Sequence, residues 1–328
     1  EDTWDDIYSM IASANTIIKQ NPDELEGDAA AIRHDIGEAY ALRALGHFDL
    51  LKFYGQQHVD GSDLGVPYKE EIIFDITDLS TEERYPARNT VNEVKQLIES
   101  DIATALDMMS EDFNDGFQYL NTYGVQALKS RVALYFGEWQ DVVDASEAII
   151  NSGDYSIVPA ENYVQYWQSD GGVNSIFELA FNGTDNRGIN GLENMYRYDA
   201  YGDVAVLMDL ASIFDSTDVR MMGQLTQPNL DGEPVTVNMI GWGAQTGFLR
   251  NNGKYPDANY NDNVPIFRYE EIILNYAEAL YELGQDGING NSALDYLNMI
   301  PENRNATTYS TIDKDNILQE RRKELCFE

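Results

Sequence analysis

The stretch PIFRYEEIILNYAEALYELG at residues 265–284 sets four glutamates, Glu270, Glu271, Glu278 and Glu282, among three tyrosines. Carboxylates paired on one element can act as general acid and base, as in glycoside hydrolysis. At 100° per residue, Ile266, Tyr269, Ile273, Tyr276, Leu280 and Leu283 form one apolar seam, with Leu274, Ala277 and Tyr281 beside it. A helix so apolar around its girth is predicted to be packed on two sides. Glu271, Asn275, Glu278 and Glu282 share the remaining strip next to Arg268, which reaches Glu271 at i, i+3. A satisfied ion-pair strip is therefore the better reading than a catalytic pair. Glu270 differs, because it projects into the apolar arc and should need a buried cation or a raised pKa.

Other reactive patterns are scarce. His34, His47 and His58 are the three histidines, and His47 lies within an apolar helix face, a core position rather than a catalytic one. There is no HExxH, nucleophile elbow or P-loop; GWGAQTG at 241–247 has the glycines of a phosphate loop but the wrong spacing. DGSD at 60–63 and NYNDN at 259–263 could hold calcium, yet neither matches an EF-hand, and Asn, Asp and Gly favour turns for backbone reasons. No cofactor is expected.

Sugar binding makes a different demand: flat aromatic faces for the C–H patches of a pyranose, and amides, carboxylates or guanidinium groups for its hydroxyls. Trp4 and Trp139 lie at helical core spacing, which leaves Trp167 and Trp242 in loop context. Trp167 follows Tyr163 and Tyr166, and Trp242 stands between Gly241 and Gly243, a setting that lets a ring stand clear of its backbone. The loop NGTDNRGINGLENMYRYDAYGD at 182–203 adds Asn186, Arg187, Asn190, Tyr196, Arg197 and Tyr198 as the preferred platform. For any one of these aromatics, loop packing is an equally ready explanation.

The elements that must carry these residues are mostly helical. Trp4, Tyr8 and Ile11 share a face, residues 33–54 form a long striped helix stopped by Gly55, and another helix runs over about 90–109 from Asn89 or Thr90. A helix pair follows, punctuated by Gly137 and Gly153, and the last third adds helices over 265–284, about 291–300 and about 313–325. The pairs look like tetratricopeptide units, with Leu134, Gly137, Trp139, Ala145 and Ala148 supplying nesting residues. Between Tyr155 and Asn263 the pattern changes to short strand-like runs, such as SIFELAF at 175–181, and long polar loops.

Composition narrows the partners. The 328 residues are 43% hydrophobic and 11% aromatic, enough to bury a large core, and the formal charge of −36 repels phosphate backbones and anionic lipid. Nucleic acid is excluded on that ground, and a neutral ligand fits better unless a local basic pocket intervenes. Cys326 is the single cysteine, so no internal disulfide forms, and no run of about 18 apolar residues suggests a membrane span. Both ends begin and stop in helical pattern, as if trimmed.

The string VPIFRYEEIILNYAEALYELG, followed by ALDYLNMI and ILQERRKELCFE, resembles the SusD/RagB family of outer-membrane nutrient-binding lipoproteins of Bacteroidetes. Matches in the same order are WDDIYSMIASANTII at 4–18, EAYALRALGHFDLLKFYG at 38–55, ALKSRVALYFGEWQDVVDASEAIINSGDY at 127–155, NSIFELAFN at 174–182, DVR at 218–220 and GKYPD at 253–257. Two departures are MIPENRNA at 299–306, with Pro301 and Glu302 in a usually basic run, and Glu270 where a small residue is common.

The resemblance implies a mainly α protein: one SusD-like domain over 1–328, its tetratricopeptide-like scaffold mainly in 1–55, 89–153 and 264–328. A loop-rich, short-strand ligand region is expected mainly in 56–88 and 155–263. It also implies an outer-membrane, surface-exposed location through an N-terminal lipid anchor outside this chain, and a SusC-like TonB-dependent transporter as partner. By the same analogy QQHVDGSD at 56–63 is a second wall, with His58 and Asp60 as contacts. The expected function is non-catalytic capture of a neutral oligosaccharide. Alternatives are a RagB-like peptide binder, since acidic loops could receive basic peptides, and a glycoside hydrolase.

Overall fold

The sequence's helical stripes become two compact units in the computed structural model, residues 1–132 and 133–328. The structure describes residues 2–56, 61–72, 79–196, 201–228, 232–242 and 248–328. In the first unit lie α1 (Asp2–Ile18), α2 (Ala29–Tyr54), α3 (Thr81–Arg84) and α4 (Val91–Met108), and the division falls inside α5 (Thr122–Phe136).

Helix α2 packs against both α1 and α4, and its sequence explains how. Its buried residues, from His34 to Leu51, occur all around the helix rather than along one stripe. Two glycines allow the close approach: a Cβ at Gly37 would lie 2.4 Å from Met109 Cγ, and one at Gly46 would lie 2.7 Å from Met10 Cε. Arg43 in the middle of α2 is buried and joins the three helices, donating from Nε and Nη2 to Asp101 on α4 (2.7 Å each) and from Nη1 to Asn15 on α1 (2.8 Å). His47 is fully buried in the same interface; Lys69 N–H donates to its Nε2 at 2.9 Å, so Nδ1 carries the proton and donates to Arg43 O. This is the core role its apolar neighbours predict. Helix α4 starts at Thr90, whose side chain accepts from Glu93 N while the Glu93 carboxylate accepts from Thr90 N.

The second unit contains α6 (Trp139–Ser152), α7 (Ala160–Tyr166), β1 (Ser175–Leu179), α8 (Leu192–Tyr196), α9 (Met208–Ala211), α10 (Val219–Met222), β2 (Gln224–Pro228), β3 (Pro234–Asn238), β4 (Ile240–Trp242), β5 (Leu249–Asn251), β6 (Val264–Arg268), α11 (Tyr269–Leu283), α12 (Ala293–Glu302) and α13 (Lys314–Glu324). Three antiparallel two-stranded ladders, β1–β6, β2–β3 and β4–β5, make up the loop-rich middle. Helices α5 and α6 are followed by Gly137 and Gly153, both at φ +73° in the left-handed region that glycine tolerates.

Helix α11 packs against α6, α12 and α13, and is buried continuously from Tyr269 to Leu280, as its doubly apolar girth predicts. The expectation of a helix opening at residue 265 is corrected: residues 264–268 are β6, paired with β1 through Phe267↔Phe177 and Pro265↔Glu178. Pro265 lacks an N–H and Ile266 and Phe267 favour extended backbone, so the apolar seam continues backwards as a strand.

Candidate functional site

Glu270, Glu278 and Glu282 of α11 are bound to cations or donors, which argues against the acid/base reading of that stretch. Lys314 donates to Glu278 (2.6 Å) and Glu282 (2.9 Å), and Arg321 donates to Asn275 (2.7 Å) and Glu278 (3.2 Å). Arg268 turns away from the strip, to Glu270, Glu324 and Glu328. Glu270 has the buried partner its position demands: it accepts from Arg304 Nη2 (3.0 Å), Asn174 Nδ2 (2.9 Å) and Val158 N (3.2 Å).

These contacts belong to a buried cluster of five cationic and five acidic side chains: Arg220, Lys254, Arg268, Arg304 and Lys323 with Asp218, Glu270, Glu320, Glu324 and Glu328. Glu324 is the hub, accepting from Arg220, Arg268 and Arg304 at 2.7–3.0 Å. Burial alone would raise its carboxyl, but Arg304, Arg268 and Arg220 hold it well below the usual carboxylate range.

Two of the aromatics expected to stack on a ligand face inward. Tyr166 ends α7 and Trp167 caps it, and both are buried with Tyr163 and Tyr255; Trp167 meets Tyr255 edge-on at 5.6 Å and carries Lys254 Nζ 4.7 Å over its ring. Reading them as loop platform residues is therefore corrected: spacing 163, 166, 167 is helical and brings the three rings to one face. Tyr196 is half-buried, stacked on Tyr255 at 6.2 Å and edge-on to Phe327 at 5.5 Å.

Trp242 faces outward. It is 64% exposed at the end of β4, cross-strand from Leu249 of β5. Phe248, just before β5, is 62% exposed, and the Val206↔Leu249 bridge is followed by the exposed Leu207 and Met208. Of the 241–247 run, Gly241 and Trp242 belong to β4 and 243–247 lie outside the described residues; Phe248, Leu207 and Met208 are exposed apolar residues that sequence reasoning missed. Aromatics at 242 and 248, flanking a glycine-containing run, are the available signal.

In the 182–196 loop, Asn186 is committed to the turn: its Oδ1 accepts from Gly188 N and its Nδ2 donates to Asn182 O. Arg187 and Asn190 are exposed and line a depression of about 330 Å³ with Phe181, Glu193 and Tyr260. Behind Tyr260, Asp262 accepts from Asp257 N. Burial, with Glu193, Asp257 and Asp170 nearby, pushes the Asp262 carboxyl up to about 7 despite that bond. Asn263 of the same NYNDN run accepts from Phe181 N and donates to Glu178, tying this run to β1 and the residues that follow it. Among the described residues, no group of three or more His, Cys, Asp or Glu is arranged to hold a metal ion. Tyr198, Arg197, His58 and Asp60 lie outside the described residues.

Comparison with known proteins gives this geometry a family. A family model described as "Starch-binding associating with outer membrane" matches residues 1–134, and the model of the SusD family matches 225–328. The chain belongs to the SusD family. It is 26% identical to SusD-like protein P38 of Formosa agariphila, over 99% of this chain and 69% of that protein. The crystal structure of a SusD superfamily protein from Bacteroides thetaiotaomicron aligns with a TM-score of 0.77 at 26% identity, covering 99% of this chain and 72% of that one. A second SusD superfamily structure, from Bacteroides vulgatus, aligns with a TM-score of 0.78 at 25% identity, covering 99% and 72%. The mainly α, tetratricopeptide-like architecture is that of the SusD fold. The strings that carry the SusD resemblance meet in the ion cluster: Asp218 and Arg220 of DVR, Lys254 of GKYPD, and Glu320, Lys323 and Glu324 of the ERRKEL run.

Proposed function

We propose that this chain is a non-catalytic, cell-surface glycan-binding protein that captures oligosaccharide and passes it to a SusC-like TonB-dependent transporter barrel, held at the outer membrane by a lipid anchor. SusD-family membership and the starch-binding description of the matched family model support carbohydrate as the ligand. The observation that carries the reading is the indole of Trp242, presented to solvent at the end of β4 where it pairs with Leu249 of β5. A flat ring held out on paired strands can cover the apolar face of a pyranose, while Arg187 and Asn190 offer hydrogen-bond donors in their own depression. The non-catalytic part is supported by Glu270, Glu278 and Glu282 of α11, which are engaged in structural contacts.

Isothermal titration against a panel of neutral oligosaccharides tests it. Trp242→Ala should weaken binding by about tenfold, the loss of roughly 1.4 kcal/mol of stacking, while leaving the unfolding midpoint unchanged. Binding at a neutral sugar should depend only weakly on salt. Unchanged affinity in the variant rejects Trp242 as the platform; turnover of a labelled oligosaccharide rejects the non-catalytic assignment, and capture of peptides without glycans favours a peptide-uptake role.

A further inference from the structure

The rings that turn inward in the second unit carry polar atoms that the rest of the protein does not meet. Tyr166, Trp167 and Tyr255 are 8%, 5% and 1% exposed, yet Tyr166 Oη, Trp167 Nε1 and Tyr255 Oη have no hydrogen-bond partner among the described residues. Buried O–H and N–H groups are almost always paired, so three of them together mark a place shaped for an outside acceptor. All three side chains line one chamber of about 260 Å³. Ring contacts fix the donors there: Trp167 lies edge-on to Tyr166 at 5.1 Å and to Tyr255 at 5.6 Å. Tyr255 is also held at φ +60°, a left-handed conformation that is strained for a tyrosine.

The rest of the lining says what that acceptor must be. Its charged members among the described residues, Asp170, Glu178 and Asp262, are all acidic, which disfavours an anion. Lys254 over the Trp167 ring is bound to Glu328 and to the carbonyls of Glu324 and Cys326. The indole N–H only donates, which disfavours a cation. Glu178 already accepts from Gly171 N, Ser175 Oγ and Asn263 Nδ2. Asp170 and Asp262 each spend one oxygen inside the protein, on Asn263 N and Asp257 N, and their second oxygens can take a proton donor. A neutral hydroxyl answers both sets. The chamber is smaller than the roughly 300–1,000 Å³ that encloses a whole ligand, so it takes an arm rather than a ring. A wider depression of about 620 Å³ adjoins it: Gln168 follows Trp167, Pro256 follows Tyr255, and Asp262 lines both. The Gln168 amide and the Thr226 hydroxyl stand in that depression.

We infer that chamber and depression form a subsite for a neutral hexopyranose, with the ring in the depression and its exocyclic hydroxymethyl arm in the chamber. The arm's oxygen accepts from two of the three donors, the adjacent ring oxygen takes the third, and the hydroxyl proton goes to Asp262 or Asp170. A sugar without that hydroxyl leaves the donors unpaired, and a site built around a hydroxyl rejects the analogue that lacks it. Trp242 lines neither cavity, so this subsite selects the sugar independently of stacking there. That the ligand is a saccharide rests on the glycan-binding reading; that its hydroxymethyl arm is read rests on these three donors.

Titration calorimetry with maltotriose, cellotriose and β-1,4-galactotriose, each beside its 6-deoxy counterpart, tests the subsite. At least one trimer should bind about tenfold or more tighter than its counterpart. The double variant Tyr166→Phe/Tyr255→Phe should cut that ratio below about threefold and leave the unfolding midpoint unchanged, because neither hydroxyl bonds to the protein. Trp242→Ala should weaken both members of a pair and leave their ratio intact. Equal binding of trimers and counterparts, a ratio that survives the double variant, or a midpoint that falls by several degrees in it overturns the inference alone. Absence of binding by every sugar overturns the glycan reading as well.

Discussion

Glu324 accepts bonds from three arginines inside the second unit, so its removal strands buried positive charge rather than deleting one contact. Glu324→Gln should cost about 3–5 kcal/mol in urea unfolding, the scale of a broken buried pair. Glu282→Gln on the outer strip should stay within about 0.5 kcal/mol, because its Lys314 contact is largely in water. The need for a partner at Glu270 is legible in the sequence, since helical phase alone sets it in the apolar arc. The identity of that partner is not, because Arg304 and Asn174 lie 34 and 96 residues away. Asp262 makes a pH prediction. Its folded pKa near 7 exceeds the roughly 4 expected unfolded, so the native state holds the proton more tightly. The stability this lends is complete below about pH 4 and is lost as pH rises through about 7. Asp262→Asn should therefore be more stable than the parent at pH 8 by about 1–2 kcal/mol, and show no such gain at pH 4, in thermal melts at the two pH values.

At the scale of elements, end signals and stripes prove readable where they are local. Thr90 is the start of α4 because a capping box needs only four consecutive residues, and Thr90→Ala should cost about 1 kcal/mol in chemical denaturation. Residues 264–268 were harder, since an apolar seam fits a helix continued or a strand, and pairing with β1 about ninety residues earlier decides between them. The same limit affects the binding platform. Tyr166 and Trp167 sit among Gln, Ser, Asp and Gly and look like loop, yet α7 turns them into the ring cluster with Tyr255. Trp167→Ala should destabilise by about 3–5 kcal/mol through the cavity left behind, a stability loss that Trp242→Ala should not share. Trp242 was legible for the opposite reason: its place between two glycines at the end of a short strand is written locally.

For the molecule as a whole, the acidic composition forecasts the partners to exclude but hides the buried cations gathered around Glu324, because net charge averages over positions that folding separates. The same acidity predicts that folding is strained by self-repulsion. Raising sodium chloride from about 10 to 200 mM should lift the unfolding midpoint by about 2 °C or more, read by scanning calorimetry. The ion cluster around Glu324 has a further effect on that balance. Being electroneutral, it withdraws as many positive as negative side chains from solvent, and so leaves the outer shell more one-sided than composition suggests. In colloid terms the folded molecule is a polyanion that carries its own cloud of counterions. Crowded copies would hold one another off across a gap on the order of the Debye length, ~8 Å in 0.15 M salt, and divalent cations would narrow that spacing without occupying any site.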